Sequence, residues 1–188
     1  LQITLISFFS SYLLSILLIP ITFKFGKLLK VIDFPDLRKK HNKPLVRLGG
    51  VAIAISFICT SLTILFFNIQ ENLTYFFYLK LILGIALFFL IGLLDDFLSV
   101  SPSKRLLLQF FISAILWIQG FRIDTINIGF LTNQFSQVNL PLLISFFITC
   151  IWIAGIINGL NWFDGLDGLA SGITVIISTS LLIITLFT

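Results

Sequence analysis

The chain has 188 residues, of which 58% are hydrophobic and only 11% are charged, and its mean hydropathy is +1.12. These values exclude an ordinary soluble domain and are typical of a polytopic membrane protein. The formal net charge of +4 agrees with basic loops on one side of a membrane, so we expect no nucleic-acid partner.

Six apolar segments follow one another along the chain. Since about 20 apolar residues cross a hydrocarbon core about 30 Å thick, each segment is interpreted as one transmembrane helix. The predicted spans are 3–23, 48–67, 73–94, 106–121, 140–157 and 169–187. The predicted fold class is therefore all-α, a polytopic integral membrane helix bundle. Because the chain contains no Met and stops inside an apolar run, we expect 1–188 to form a single but incomplete transmembrane domain.

Basic residues are concentrated in two of the predicted loops. Eight of the twelve Lys and Arg residues lie between Lys24 and Arg47, and Lys104 and Arg105 lie in the third loop. By the positive-inside rule these loops are cytoplasmic and the N-terminus is outside. The predicted cytoplasmic loops are then about 24–47, 95–105 and 158–168. On the opposite side, patchy alternation between residues 121 and 139 is compatible with a small external hairpin.

Two adjacent carboxylates, Asp95 and Asp96, follow the third apolar segment. Adjacent carboxylates repel one another, so a pair at a membrane edge is well explained by a cation that lies between it and an anionic substrate. Mg²⁺ fits this arrangement because it takes one or two carboxylates together with phosphate oxygens. The simpler alternative is that the pair only ends a span and begins a loop.

The first predicted loop combines basic residues with turn-forming residues. Its basic side chains suit anionic lipid headgroups, and that role alone would account for a cluster of positive charge. It accounts less well for Pro35, Pro44 and the Gly49-Gly50 pair, which indicate a shaped loop that holds a phosphorylated ligand.

Amides and carboxylates recur at every third residue in the fifth loop, as Asn158, Asn161, Asp164 and Asp167. At 3.6 residues per turn an α-helix would carry the first and the last of them on opposite sides. A 3₁₀ turn would stack the four, and a loop closed around neighbouring glycines could bring them together. We favour a short, partly broken helical loop that forms a binding site.

Three patterns together resemble a known family. The first loop reads D-x-P-x-x-R-K-x-H-x-x-P from Asp33, the aspartate pair follows, and N-x-x-N-x-x-D-G-x-D-G-L-A begins at Asn158. Their order and spacing closely resemble the polyprenyl-phosphate N-acetylhexosamine-1-phosphate transferases of glycosyltransferase family 4. The first-loop pattern is more similar to the branch that transfers N-acetylglucosamine-1-phosphate than to the branch that transfers phospho-N-acetylmuramoyl-pentapeptide.

The resemblance implies an enzyme of about ten or eleven spans, of which this chain is the N-terminal half. It implies a bacterial cytoplasmic-membrane protein that uses Mg²⁺, with Mn²⁺ as an alternative, a UDP-sugar and undecaprenyl phosphate. UMP would be released in the first membrane step of cell-envelope polysaccharide synthesis, such as that of lipopolysaccharide O-antigen. A homodimer is left open.

The resemblance also implies roles for individual residues. Asp95 and Asp96 match the family's aspartate pair, which holds metal or deprotonates the lipid phosphate, and Asp164 is the third catalytic candidate. Asn158, Asn161 and Asp167 match residues that line the nucleotide pocket. Arg38, Lys39, His41 and Lys43 are assigned to the diphosphate or to the lipid phosphate.

Two other classes of protein compete with the transferase. A transporter or flippase would bind an ion or a lipid headgroup through intramembrane carboxylates, but it would place them near the midplane rather than at the ends of spans. A catalytically silent membrane subunit would tolerate Asp96→Asn. The transferase interpretation is preferred because the carboxylates cluster at predicted cytoplasmic ends.

Overall fold

The computed structural model describes residues 2–33, 44–68, 72–127, 137–163 and 168–187. These residues form six α-helices and two small antiparallel sheets. The helices are α1 (Gln2–Leu28), α2 (Gly49–Asn68), α3 (Asn72–Leu98), α4 (Pro102–Ile118), α5 (Leu142–Phe163) and α6 (Leu169–Phe187). The strands are β1 (Ile32–Asp33), β2 (Leu45–Val46), β3 (Thr125–Asn127) and β4 (Gln137–Asn139).

Five of these helices, all except α4, are long and apolar enough to cross a membrane. Helix α4 has 17 residues, which at 1.5 Å per residue gives about 25 Å. Since lipid offers the backbone no hydrogen-bond partners, a helix that satisfies its own backbone is the expected form of each apolar segment. The prediction of an all-α, polytopic integral membrane bundle is confirmed.

The chain forms two compact units, Leu1–Arg122 and Ile123–Thr188. In the first unit α1 packs on α2, α2 on α3, and α3 on α4. The face of α2 toward α1 carries Ala52, Ser56 and Thr60 at four-residue intervals, and these residues are buried with Thr22 of α1. Small side chains allow helix backbones to approach closely, which is how helices associate in lipid.

A close approach also brings α3 against α4. A Cβ placed on Gly84 would lie 2.6 Å from Leu116 Cδ2, so the backbone of α3 touches the side chain from α4 directly. Leu116 forms a buried cluster with Ile91 and Ile112, against which Phe88 packs. The two helices therefore form a tightly packed antiparallel pair.

A left-handed residue ends α3 and starts the short turn to α4. Ser99 has φ of 49°, and its N–H donates to the Asp95 carbonyl at 2.8 Å. This is the αL form of helix C-terminus, in which one N–H satisfies a carbonyl of the last turn. Pro102 then begins α4, at the position where a missing N–H costs nothing.

The two-stranded sheet β1–β2 holds the ends of the first loop together. Ile32 pairs with Val46 and Asp33 pairs with Leu45, so residues 34–44 run between two paired strands. Helix α1 continues to Leu28, beyond the start at residue 24 that the sequence predicts for this loop. The reason is that Lys side chains near a membrane surface extend toward water while their backbone stays helical.

The second unit contains the β3–β4 hairpin and helices α5 and α6. The hairpin, with Thr125 opposite Asn139, confirms the strands expected between residues 121 and 139, and the membrane side on which it lies stays a prediction. The residues that precede β3 are fixed to α5 by two hydrogen bonds. Ser145 Oγ donates to Asp124 Oδ1 at 3.1 Å, and the Ile123 N–H donates to Thr149 Oγ1 at 2.9 Å.

Candidate active site

The aspartate pair lies in the last turn of α3. The predicted cytoplasmic loop at about 95–105 includes the ends of two helices, because α3 runs through both aspartates to Leu98 and α4 begins at Pro102. The cause is the left-handed Ser99, which ends the helix later than the apolar segment does. Consecutive side chains on an α-helix point about 100° apart. The two half-buried carboxylates are therefore held in different directions by a regular backbone.

Asp95 forms an ion pair with the first turn of α4. Arg105 Nη1 donates to Asp95 Oδ2 at 2.7 Å, a distance typical of a charge-assisted hydrogen bond. The two side chains are only 20% and 27% exposed, so the pair is shielded from water more than an ordinary surface pair. Among the described residues, the buried Nε of Arg105 has no hydrogen-bond partner.

Asp96 experiences the charge of a second arginine. The Arg47 guanidinium attracts the Asp96 carboxylate electrostatically, and it belongs to the residue that directly follows β2. The backbone N–H of Arg47 donates to the Val31 carbonyl at 3.2 Å, which fixes Arg47 at the end of the β1–β2 sheet. The C-terminal end of the first loop is thus within electrostatic range of the aspartate pair.

The carboxylates of the pair suit a divalent cation only as part of a coordination shell. Asp95 uses Oδ2 for Arg105, so Oδ1 is the carboxylate oxygen that does not take part in this ion pair. No group of three His, Cys, Asp or Glu residues converges within the described ranges. Mg²⁺ commonly binds proteins through one or two carboxylates, with phosphate oxygens and water completing its shell. Asp95 and Asp96 therefore fit the protein part of such a site.

Asn158 and Asn161 lie on α5, in the second unit. Helix α5 continues to Phe163, so residues 158–163 of the predicted partly broken helical loop are regular α-helix. The reason is that a helix in an apolar environment keeps its backbone bonds, and the single Gly159 does not interrupt it. Asn158 is half-buried and its Nδ2 donates to the Ala154 carbonyl at 2.7 Å, whereas Asn161 is exposed.

Six predicted site residues lie outside the residues that the structure describes. Four belong to the first loop and two follow α5: Arg38, Lys39, His41, Lys43, Asp164 and Asp167. Their assigned roles stay predictions. That Asn158, Asn161, Asp164 and Asp167 come together in one binding site stays a prediction as well.

Two residues of the candidate site were missed by the sequence interpretation. Arg47 and Arg105 were counted there only as positive charges that set the topology. A signal for Arg105 existed, since Pro102 marks a helix start a few residues after the pair and places Arg105 in the first turn. No helix-start signal or other pattern in the sequence indicates that Arg47 acts electrostatically on Asp96.

Comparison with known proteins places the chain in a family. The profile described as Glycosyl transferase family 4 matches residues 78–188, more than half of the chain. A Bacillus subtilis protein named "Probable undecaprenyl-phosphate N-acetylglucosaminyl 1-phosphate transferase" is 29% identical over 91% of this chain and 45% of the relative. An undecaprenyl-phosphate alpha-N-acetylglucosaminyl 1-phosphate transferase from Thermotoga maritima is 32% identical over 91% of the chain and 46% of the relative.

The other branch of the resemblance is also present among the relatives. A phospho-N-acetylmuramoyl-pentapeptide-transferase from Caldicellulosiruptor bescii is 32% identical over 98% of this chain and 58% of the relative. The chain spans about half the length of the curated relatives it matches. No solved structure matches it significantly. The sequence resemblance is confirmed by the profile match, and the chain belongs to glycosyl transferase family 4.

Proposed function

We propose that this protein transfers N-acetylglucosamine-1-phosphate from a UDP-sugar to undecaprenyl phosphate and releases UMP. The observation that carries the proposal is the half-buried Asp95-Asp96 pair at the end of a membrane helix, where Arg105 forms an ion pair with Asp95 and Arg47 acts electrostatically on Asp96. Family membership supports it, as do relatives named for this transfer. Such a pair, with an arginine for each carboxylate, suits the handling of phosphate charge at a membrane surface.

The reaction is a phosphoryl transfer between two phosphorylated substrates. An oxygen of the lipid phosphate forms a bond to the phosphorus that carries the sugar, and the bond from that phosphorus to the UMP oxygen breaks. The electron pair of the broken bond leaves with UMP. A phosphate monoester with a second pKa near 6 is largely dianionic at pH 7, so the attacking oxygen needs no general base. The protein's task is to position the groups and to neutralise charge.

The residues of the chain divide this task. Asp95 and Asp96 would hold Mg²⁺ or Mn²⁺, which when bound neutralises phosphate charge. Asn158, Asn161 and Asp167 are proposed to bind the nucleotide, and Asp164 is the further catalytic candidate. The basic residues of the first loop, Arg38, Lys39, His41 and Lys43, are proposed to hold the phosphates.

The location proposed for this site is the cytoplasmic face of the bacterial cytoplasmic membrane. The N-terminus then lies outside, and the ends of α1 and α3 lie inside with the basic first loop. The distribution of Lys and Arg supports this orientation, since eight of twelve lie between Lys24 and Arg47. Both substrates would meet there, because UDP-sugars are soluble and undecaprenyl phosphate presents its headgroup at the surface.

The test is UMP release by membranes that contain the full-length natural protein, with undecaprenyl phosphate, Mg²⁺ and UDP-N-acetylglucosamine. We expect metal-dependent release that Asp95→Asn and Asp164→Asn each abolish. UDP-N-acetylmuramoyl-pentapeptide serves as the second donor, because some relatives are named for that transfer. Release with that donor alone would replace the proposed sugar, and no release with either donor from well-folded protein would refute the enzyme.

A further inference from the structure

The Asp95–Arg105 pair places both charges at helix ends that disfavour them. Asp95 lies in the last turn of α3, where the helix dipole is negative, and Arg105 lies in the first turn of α4, where it is positive. Neither charge therefore helps its own helix to form. The favourable partner of each charge is the other, at 2.7 Å.

The backbone around this pair is fixed from several sides. The Ser99 N–H bonds to the Asp95 carbonyl at 2.8 Å, so the residue that carries the carboxylate is held by its main chain. The Arg105 N–H bonds to the Ser101 carbonyl at 3.0 Å in the first turn of α4. Only residues 99–101 separate the two helices, so the relative position of the two side chains is closely constrained.

The helix faces of α3 and α4 that carry Asp95 and Arg105 are also in contact farther along the two helices. Gly84 touches Leu116, and the steps from 84 to 95 and from 105 to 116 are eleven residues each. Eleven residues make about three full turns, or about 16 Å, so both contacts lie on one face of each helix. The ion pair is thus one end of a continuous interface between α3 and α4.

A polar row on α4 continues from Arg105 into the bundle. Gln109 and Ser113 follow at four-residue steps and are 3% and 0% exposed. Ser113 Oγ donates to the Gln109 carbonyl at 2.8 Å, which satisfies its hydroxyl within the helix. Because these two polar side chains are buried, Arg105 lies at the end of the face of α4 that packs into the protein. Its buried Nε is consistent with this placement.

We propose that Arg105 is a positioning residue that holds the Asp95 carboxylate by Oδ2 and thereby presents Oδ1 to a divalent cation. The inference deepens the proposed function, because it rests on the aspartate pair's role in holding that cation. Carboxylates that bind metals are themselves oriented by hydrogen bonds to their second oxygen, and loss of such a partner typically weakens metal binding or activity by about 10–100-fold. Here the hydrogen-bond partner is itself a cation, so its charge repels the metal while its hydrogen bond orients the carboxylate toward it.

Two possible roles of Arg105, repulsion of the metal by its charge and positioning of the Asp95 carboxylate, predict opposite effects of its removal on metal affinity. If Arg105 only repels or competes with a cation, its removal should tighten metal binding, because one nearby positive charge disappears. If Arg105 positions the carboxylate, its removal should weaken binding in spite of the lost charge. Lys104 is the matched control, since it is the adjacent residue in the same turn, is exposed, and carries the same charge.

The experiment measures Mn²⁺ binding to the purified full-length natural protein in detergent by electron paramagnetic resonance, without substrates. We expect Arg105→Ala to weaken Mn²⁺ binding by about tenfold or more. Lys104→Ala should leave the affinity unchanged or slightly raised. Arg105→Lys should retain most of the affinity, because an ammonium can also donate to Oδ2. With Asp95→Asn in the background, Arg105→Ala should cause no further loss.

Unchanged or tighter Mn²⁺ binding in Arg105→Ala would overturn the proposal, and so would a wild-type protein that binds no Mn²⁺. Should Arg105→Ala fail to fold, Arg105→Gln decides by the same criterion. UMP release by the wild type is assayed in parallel. A protein that shows the predicted loss of Mn²⁺ binding but releases no UMP would keep Arg105 as the positioning residue and refute the transfer reaction alone.

Discussion

Replacing Gly84 with Ala tests the packing that supports the candidate site. The new Cβ would lie 2.6 Å from Leu116 Cδ2, 3.2 Å from Cδ1 and 3.3 Å from Cγ. Ordinary carbon contacts lie at about 3.5–4.0 Å, so Leu116 or all of α4 must move by up to about 1 Å. Leu116 is 7% exposed and packs against Ile91 and Ile112, which leaves it little room. Overpacking of this kind costs about 1–3 kcal/mol.

A smaller term opposes this cost. Ala is favoured over Gly in helix interiors by about 1 kcal/mol in water, so we expect a net loss of about 1 kcal/mol for Gly84→Ala. Gly92→Ala on the same helix is the control, because a Cβ there meets nothing within 4 Å and only the helix gain remains. Thermal unfolding in detergent would compare the two. The reasoning is wrong if Gly84→Ala proves at least as stable as Gly92→Ala, or if adding Leu116→Ala to Gly84→Ala shows no coupling.

Three further substitutions test the helix ends and the hairpin base. Gly120→Ala should lower the free energy of unfolding by about 1–2 kcal/mol, because φ at Gly120 is +102° and an added Cβ there meets nothing within 4 Å, so only backbone strain acts. The control is Gly155→Ala, where an added Cβ also meets nothing within 4 Å; a loss at Gly120 no greater than the loss at Gly155 would contradict a backbone cause. Ser99→Gly should be neutral or stabilising by up to about 1 kcal/mol in thermal unfolding, since φ is already 49°, and a clear loss would count against the αL ending. Asp124→Ala should cost about 1–2 kcal/mol and speed amide exchange in β4, because buried Ser145 loses its acceptor; unchanged exchange would refute that anchor.

The fold was predictable wherever lipid solvation decides the structure. An apolar segment in a bilayer has to satisfy its own backbone, and so each predicted span corresponds to a helix. The helix ends were less predictable, because hydropathy reports where lipid stops and not where the backbone turns. Helix α3 passes its apolar segment to end at Leu98, and α5 continues to Phe163 through two polar amides.

The candidate site was predictable in its residue types and only partly in its contacts. Asp95 and Asp96 were identified because adjacent carboxylates repel one another and are well explained by a cation between them and an anionic substrate. The partner of Asp95 was not identified, because counting charges treats Arg105 and Lys104 as equivalent. Their difference depends on the left-handed Ser99 and on the direction in which α4 leaves the turn. A two-residue strand such as β1 likewise has too few residues to show any periodicity.

The distance between Asp95 and Arg105 therefore depends on the packing of α3 against α4 at Gly84 and Leu116, which lie inside the helix pair and away from the charged atoms. Residues 84 and 116 meet about three turns below residues 95 and 105, on the same helix faces. Because a regular helix moves as a rigid rod, a displacement of α4 away from α3 at Leu116 is carried along the axis of α4 to Arg105. A shift approaching 1 Å there is enough to lengthen a 2.7 Å hydrogen bond beyond the ordinary range. It follows that Gly84→Ala, which touches neither carboxylate, should also weaken Mn²⁺ binding, whereas Gly92→Ala, which lies nearer to Asp95, should not.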